Sequence, residues 1–235
     1  MNDIESTADA VRAGALIPWV RSHGIVLVNS ALFLIFLAGM SVTGWQVSNQ
    51  EMLDHGAAAE SFGAFLGSGD FFEAVFENWE SEFLQMGSYV VLTIWLFQKG
   101  SSESKPIGKP APQDEDPRAH RNDPDAPWPV RRGGVWLVLY ENSLLILFAI
   151  LFFGAVAGHA IGGAAAYSEE QSLHGGAPVG PLEYLGTSQF WFESFQNWQS
   201  EFMVVAVLAG AAVFLRQRGS PESKPVAAPH SETGD

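Results

Sequence analysis

Cysteine is absent from this 235-residue chain. Disulfides, a thiol nucleophile and a thiolate metal site are therefore excluded, while the redox compartment stays open. Charge is scarce, with 16% Asp, Glu, Lys and Arg against about 25% in a typical soluble domain. Basic residues are scarcer than acidic ones, 12 against 26, for a net charge of −14. Nucleic acid is a poor partner for such a chain, because neutralising phosphates needs clustered Lys and Arg. There is also no Gly-rich phosphate loop, no Gly-x-Ser-x-Gly elbow and no His-Glu-x-x-His pair. No catalytic pattern argues for an enzyme, and nothing calls for a cofactor.

What the chain does have is long apolar blocks. Gly24 to Thr43 is 20 residues without a charge, and Val135 to Ile161 is 27 residues with one, Glu141. A membrane helix needs about 20 residues to cross roughly 30 Å of hydrocarbon. Two further runs, Phe83 to Phe97 and Phe202 to Leu215, reach that length when extended back through Asn78–Glu82 and Asn197–Glu201. The pattern predicts an all-α integral membrane protein with four spans, near 24–44, 78–98, 135–161 and 197–215. All 12 Lys and Arg lie in the N-terminal arm, the middle linker and the C-terminal tail; the connecting loops, about 45–77 and 162–196, have none and carry ten carboxylates. By the positive-inside rule the chain is expected in the plasma (inner) membrane, multi-pass, with both termini cytoplasmic and both acidic loops outside.

The chain is also written twice. Phe76-Glu77-Asn78-Trp79-Glu80-Ser81-Glu82-Phe83 returns as Phe195-Gln196-Asn197-Trp198-Gln199-Ser200-Glu201-Phe202, and Gly100–Pro106 returns as Gly219–Pro225, both 119 residues on. Asn29-Ser30 corresponds to Asn142-Ser143. The expected organisation is two parallel hairpins, residues 1–99 and 135–219, related by an axis along the membrane normal. A Pro- and Gly-rich cytoplasmic linker, 100–134, joins them, and a disordered tail, 220–235, follows.

Several polar residues stand in or beside the expected spans. Asn78, Ser81, Glu82 and Gln85 form a stripe on one helix face, at i, i+3, i+4 and i+7. Asn197, Ser200 and Glu201 return in the second copy, with Val204 in place of Gln85. By helical rise Glu82 and Glu201 fall roughly 25 and 22 Å from Lys99 and Arg216, near the outer interface. The carboxylates read either as a structural clasp or interfacial anchor, or as a proton or cation relay. Asn29 and Asn142 lie deeper, where amides usually hydrogen-bond across helices, and Glu141 has no counterpart. Gly154, Gly158 and Gly162 form a small-residue stripe suited to helix packing.

The outer loops repeat Glu51-x-x-x-His55-Gly56 as Glu170-x-x-x-His174-Gly175. Glu and His at i and i+4 share a helix face, which suits a divalent-cation site or a plain exposed Glu–His contact. His159, near the outer end of the third span, reads as a packing residue or a further partner. The aromatic segments before each return helix predict short interfacial helices, with Ser68 or Asp70 and Thr187 or Ser188 as N-caps.

On Asn29-Ser30, the Glu-x-x-x-His-Gly loops, Asn-Trp-x-Ser-Glu-Phe and the Gly-Ser-x-Glu-Ser-Lys-Pro exits, the chain resembles a family of bacterial multi-pass membrane proteins described as a domain of unknown function. The resemblance implies no activity. The expected role is a non-enzymatic structural or accessory membrane component. The alternatives are a small proton or cation transporter or channel, and an extracytoplasmic metal sensor using His55 and His174. Expected partners are the lipid bilayer and either further copies of the chain or other membrane proteins.

Overall fold

The structure is a computed structural model that describes residues 19–173 and 175–233. Among the described residues all regular structure is helical. The main helices are α1 (Gly24–Asp54), α2 (Phe62–Phe65), α3 (Gly69–Trp95), α4 (Trp128–Arg132), α5 (Gly134–Glu141), α6 (Ser143–Leu173), α7 (Pro181–Tyr184) and α8 (Ser188–Ala211). Two helices among the described residues, Gly24–Asp54 and Ser143–Ser172, are long and apolar enough to cross a membrane. The expected spans near 78–98 and 197–215 fall on α3 and α8, whose N-terminal halves carry the polar repeat.

The chain divides into two compact units, Met1–Gly67 and Ser68–Asp235. In the first, α1 turns its apolar side chains outward: Ile25, Val26, Leu34, Ile35 and Phe36 are all exposed, and only Ser41 and Ser48 are buried. After α1, Gly56 adopts φ +76°, a left-handed conformation open to glycine at no steric cost. The loop then folds back. Asn49 brackets the backbone of Glu60, donating to its carbonyl and accepting from its N–H, and Trp45 donates to the same carbonyl. Helix α2 follows, capped by Ser61, and its buried Phe65 ring lies against Gly44.

In the second unit α3 packs along α6, and α8 packs on α3. The start of α3 crosses α6 in backbone contact. A Cβ at Gly69 would lie 2.5 Å from Ala166 N, and one at Gly162 would lie 2.5 Å from Glu73 N. At Gly158 the ring of Phe76 occupies the space a side chain would need, whereas a Cβ at Gly154 would meet nothing. Two of the three glycines in the stripe thus sit at the crossing. Ser68 caps α3 and Thr187 caps α8, each side chain accepting the N–H three residues on. The short α7 rests on α6, with Tyr184 wholly buried beside Ala164 and Phe190.

At the other end of these helices, residues 96–133 form turns, two 3-10 helices and α4. Lys105 there reaches the carbonyl of Ile94 and the carboxylate of Asp114. The tail is folded as far as it is described. The ammonium of Lys224, only 2% exposed, donates to the carbonyls of Pro229, His230 and Glu232, and Gly100 N–H donates to Thr233.

Candidate functional site

Four helices bring a set of ionisable side chains together inside the second unit. On α3, Glu73, Glu77 and Glu80 recur at i, i+4 and i+7 and so share one helix face. Opposite them, α6 supplies His159, α7 supplies Tyr184, and α8 supplies Gln189, Glu193 and Trp198. His159, Glu80 and Tyr184 are fully buried, and the Glu193 side chain is 14% exposed.

Their contacts form one continuous row. Trp198 Nε1–H donates to Glu80 Oε1 at 3.1 Å. Glu80 Oε2 lies 3.0 Å from His159 Nδ1, and His159 Nε2 lies 3.1 Å from Glu193 Oε2. The Tyr184 hydroxyl reaches the same Glu193 oxygen and also Glu73 Oε1, the latter at 2.9 Å. Gln189 donates to Glu193 Oε1 at 2.6 Å. Phe190 stacks near His159, centroid to centroid 4.7 Å, closing the apolar side.

The crossing of α3 and α6 makes this possible. Gly163 faces the Tyr184 ring, and a Cβ there would come within 2.8 Å of Glu73 Oε1. Its bare backbone leaves room for the phenol and the carboxyl to meet. The proton count is short for the number of oxygens. A neutral imidazole has one N–H, yet both ring nitrogens face carboxylates; a phenol has one O–H, yet two carboxylates face it. The centre thus calls for extra protons or another cation to complete it. Beyond the expected spans, burial and the nearby Glu193 charge push the Glu73 carboxyl up to about 7. Burial would also raise Glu193, but hydrogen bonds from His159, Tyr184 and Gln189 outweigh it and hold that carboxyl below its ordinary range. Burial and the hydrogen bond to Glu193 raise the Tyr184 phenol, which stays protonated. Glu73 and Glu193 are thus unlike, the first favouring the acid and the second the anion.

The polar residues singled out by the repeat are placed differently. Asn29, Asn78 and Asn142 each donate to the carbonyl four residues earlier on their own helix, not to another helix. Ser81 and Ser200 each donate to the carbonyl three residues earlier. Such local bonds satisfy the side chain without tying helices together. Asn197 Nδ2 is buried near Glu77 without a partner in hydrogen-bonding geometry. Glu82 is exposed, Glu201 is half-buried and close enough to feel its charge, and Gln85 is buried. Glu141 and Asn142 are exposed where α5 meets α6, lining a cavity with Lys105 and Asp114. In the loops, Glu51 and His55 are exposed, and His55 Nδ1 faces the backbone carbonyl of Glu51 rather than its carboxylate. Glu170 is exposed, and His174 lies outside the described residues.

Among the described residues, the histidine and carboxylates that do converge are Glu73, His159 and Glu193, with ligand atoms all within 4.8 Å of one another. The sequence carries one signal for this set. Glu73-x-x-x-Glu77-x-x-Glu80 is a one-faced acidic stripe running into an apolar helix, and it overlaps the repeat without being repeated.

The model of a domain of unknown function, DUF6766, matches residues 17–235. No curated protein and no solved structure matches the chain. The chain belongs to the DUF6766 family.

Proposed function

We propose that this DUF6766 member is a multi-pass inner-membrane protein that takes up cations from the outer side into the buried carboxylate–histidine centre, as a small transporter or channel and not as an enzyme. In this reading the stretches of α3 and α8 near 78–98 and 197–215 join α1 and α6 as spans, the two halves are parallel hairpins, and both termini are cytoplasmic. Three features support it. The apolar faces of α1 and α6 are largely outward, so neither is the sheltered core helix of a soluble domain. The Lys and Arg distribution leaves both connecting loops acidic. Matched positions 119 apart make the same local bonds, as Asn49 with Glu60 and Ser168 with Val179 do.

The single observation that carries the cation role is the gathering of Glu73, Glu77, Glu80 and Glu193 around one buried histidine. Burying several like charges is costly unless protons or a cation offset them. The centre straddles the outer ends of the expected spans, with Glu80 and His159 inside them and Glu73 and Glu193 just beyond, and ionisable groups facing a bundle interior there mark ion pathways and relays. The centre lies toward the end of α6 next to the acidic loop, where the outer surface would concentrate cations.

Purified protein in liposomes, with internal pH and metal indicators, tests the role. Wild type is expected to show a cation- or pH-driven flux that His159→Gln abolishes while the variant still elutes as folded protein. Silence of the wild type across ions and voltages would overturn the role. The same bonds support a second reading, an accessory protein whose network only ties α3, α6 and α8 together, because Glu80 and Glu193 each have several partners. That reading expects His159→Gln to lower thermal stability with no flux to lose.

A further inference from the structure

We propose that Glu73, His159 and Glu193 are the protein ligands of a divalent transition-metal site, so that the cation taken up at the centre is a metal of the zinc, manganese or iron class. The inference rests on the cation role above and names its ion.

The arrangement of His159 is the first argument. A metal-ligating histidine typically donates its far N–H to a carboxylate, which sets the tautomer and aims the other nitrogen. Glu80 stands at Nδ1, and Trp198 holds the other oxygen of Glu80 in place. With the proton on Nδ1, the Nε2 lone pair points toward Glu193, and Glu73 converges on the same space within 4.8 Å. Both carboxylates are themselves oriented, Glu193 by Gln189 and Tyr184, Glu73 by Tyr184. The ligands come from three separate helices, so an ion would tie α3, α6 and α8 at one point.

A second, independent observation lies on α8. Ser194 is wholly buried and its Oγ has no hydrogen-bond partner. Helical spacing sets Ser194 between Phe190, which faces His159, and Trp198, which bonds Glu80. An unfilled polar group beside the ligands is what the water shell of a bound ion would satisfy. The ligand chemistry selects the metal class. One imidazole and two carboxylates without thiolate suit zinc, manganese or ferrous iron, whereas calcium and magnesium prefer all-oxygen shells. Three protein ligands leave further positions open, as uptake and release require.

The test uses the full chain in detergent, stripped with chelator and then titrated with Zn2+ by calorimetry and with Co2+ by visible absorption. The expected result is about one metal per chain, with Co2+ bands typical of low coordination number. Glu193→Gln and His159→Gln are expected to lose binding, and Glu80→Gln to weaken it roughly 10–100-fold. His55→Ala is expected to bind as wild type does. Melting curves of the metal-free variants check that loss of binding is not loss of fold. Metal held equally by wild type, Glu193→Gln and His159→Gln would overturn the site. Flux in liposomes without any bound metal would overturn it as well and leave the cation role standing, with protons as the cargo. Tight metal binding without flux would keep the site and overturn the transport role.

Discussion

The stretch from Gly44 to Ser68 and the stretch from Gly163 to Thr187 follow the same local path with different chemistry inside. In both a glycine admits an aromatic ring, Phe65 in the first and Tyr184 in the second. In both a side chain brackets the backbone eleven residues on, Asn49 at Glu60 and Ser168 at Val179. Gly56 and Gly175 share φ +76°, and Ser68 and Thr187 cap the helices that follow. The second ring, however, carries a hydroxyl, and that oxygen meets Glu73 and Glu193. At the positions 119 away from His159, Glu193, Glu73 and Glu80 stand Met40, Ala74, Phe192 and Gln199. The common frame is structural; the ionisable centre is built from what the two stretches do not share.

The strongest way to break the contrast is to remove the imidazole. His159→Ala leaves Glu80 and Glu193 without their shared partner inside the helix packing. Breaking a buried charged set in this way costs about 3–5 kcal/mol, so the detergent-solubilised protein should melt far below wild type. Met40→Ala, a truncation at the position 119 residues earlier, removes no charge partner and should cost less. Equal losses would show that His159 matters only as packing.

The two glycines come next. Gly163→Ala sets a methyl against a tyrosine held by its hydrogen bonds and against the Glu73 carboxylate. Gly44→Ala meets the far end of the Phe65 ring at 2.9 Å, an atom that can swing aside. Overpacking costs about 1–3 kcal/mol, with Gly163→Ala at the upper end and Gly44→Ala at or below the lower. Thermal melts of the two single variants decide it, and the reverse order would mean the Tyr184 ring is the freer of the two.

These cases show what could be read in advance. Apolar length and charge marked the long helices, and Ser68 and Thr187 were among the capping candidates because a hydroxyl before an amphipathic run has a local partner. The centre was hidden for two physical reasons. Comparing the copies favours shared residues, yet Asn29, Asn78, Asn142, Ser81 and Ser200 bond their own helices, which any helix interior can satisfy. Glu73 and Glu193, meanwhile, read as part of acidic outer loops, since the caps at Ser68 and Thr187 marked short interfacial helices and nothing local shows that these run on unbroken as α3 and α8 and carry both carboxyls inside. Pairing of α3 with α6 is a tertiary fact, set where Gly162 meets the backbone of Glu73.

Tyr184→Phe converts the second ring to the first. It removes one hydroxyl and leaves Glu73 and Glu193 short of a donor, a loss of about 1–3 kcal/mol for buried acceptors. Because the ring and its packing stay, the helices should remain intact by circular dichroism while the melting temperature falls. No change in stability would mean that the two carboxyls already share a proton without the phenol.

The smallest effect should be the same in both stretches. Ser68 and Thr187 each accept one N–H at the start of a long helix, from Phe71 and Phe190 at 3.2 Å. Replacing a hydroxyl cap by alanine costs about 1 kcal/mol. Neither cap bonds an ionisable group of the row, so Ser68→Ala and Thr187→Ala should lower stability by similar amounts and leave metal binding unchanged. A much larger loss for Thr187→Ala would point to a different cause. The Thr187 hydroxyl also donates to the Tyr184 carbonyl at 2.7 Å, so releasing that turn would free the phenol from Glu193. In that outcome the cap would belong to the centre, and the second stretch would differ from the first in its frame as well as in its chemistry.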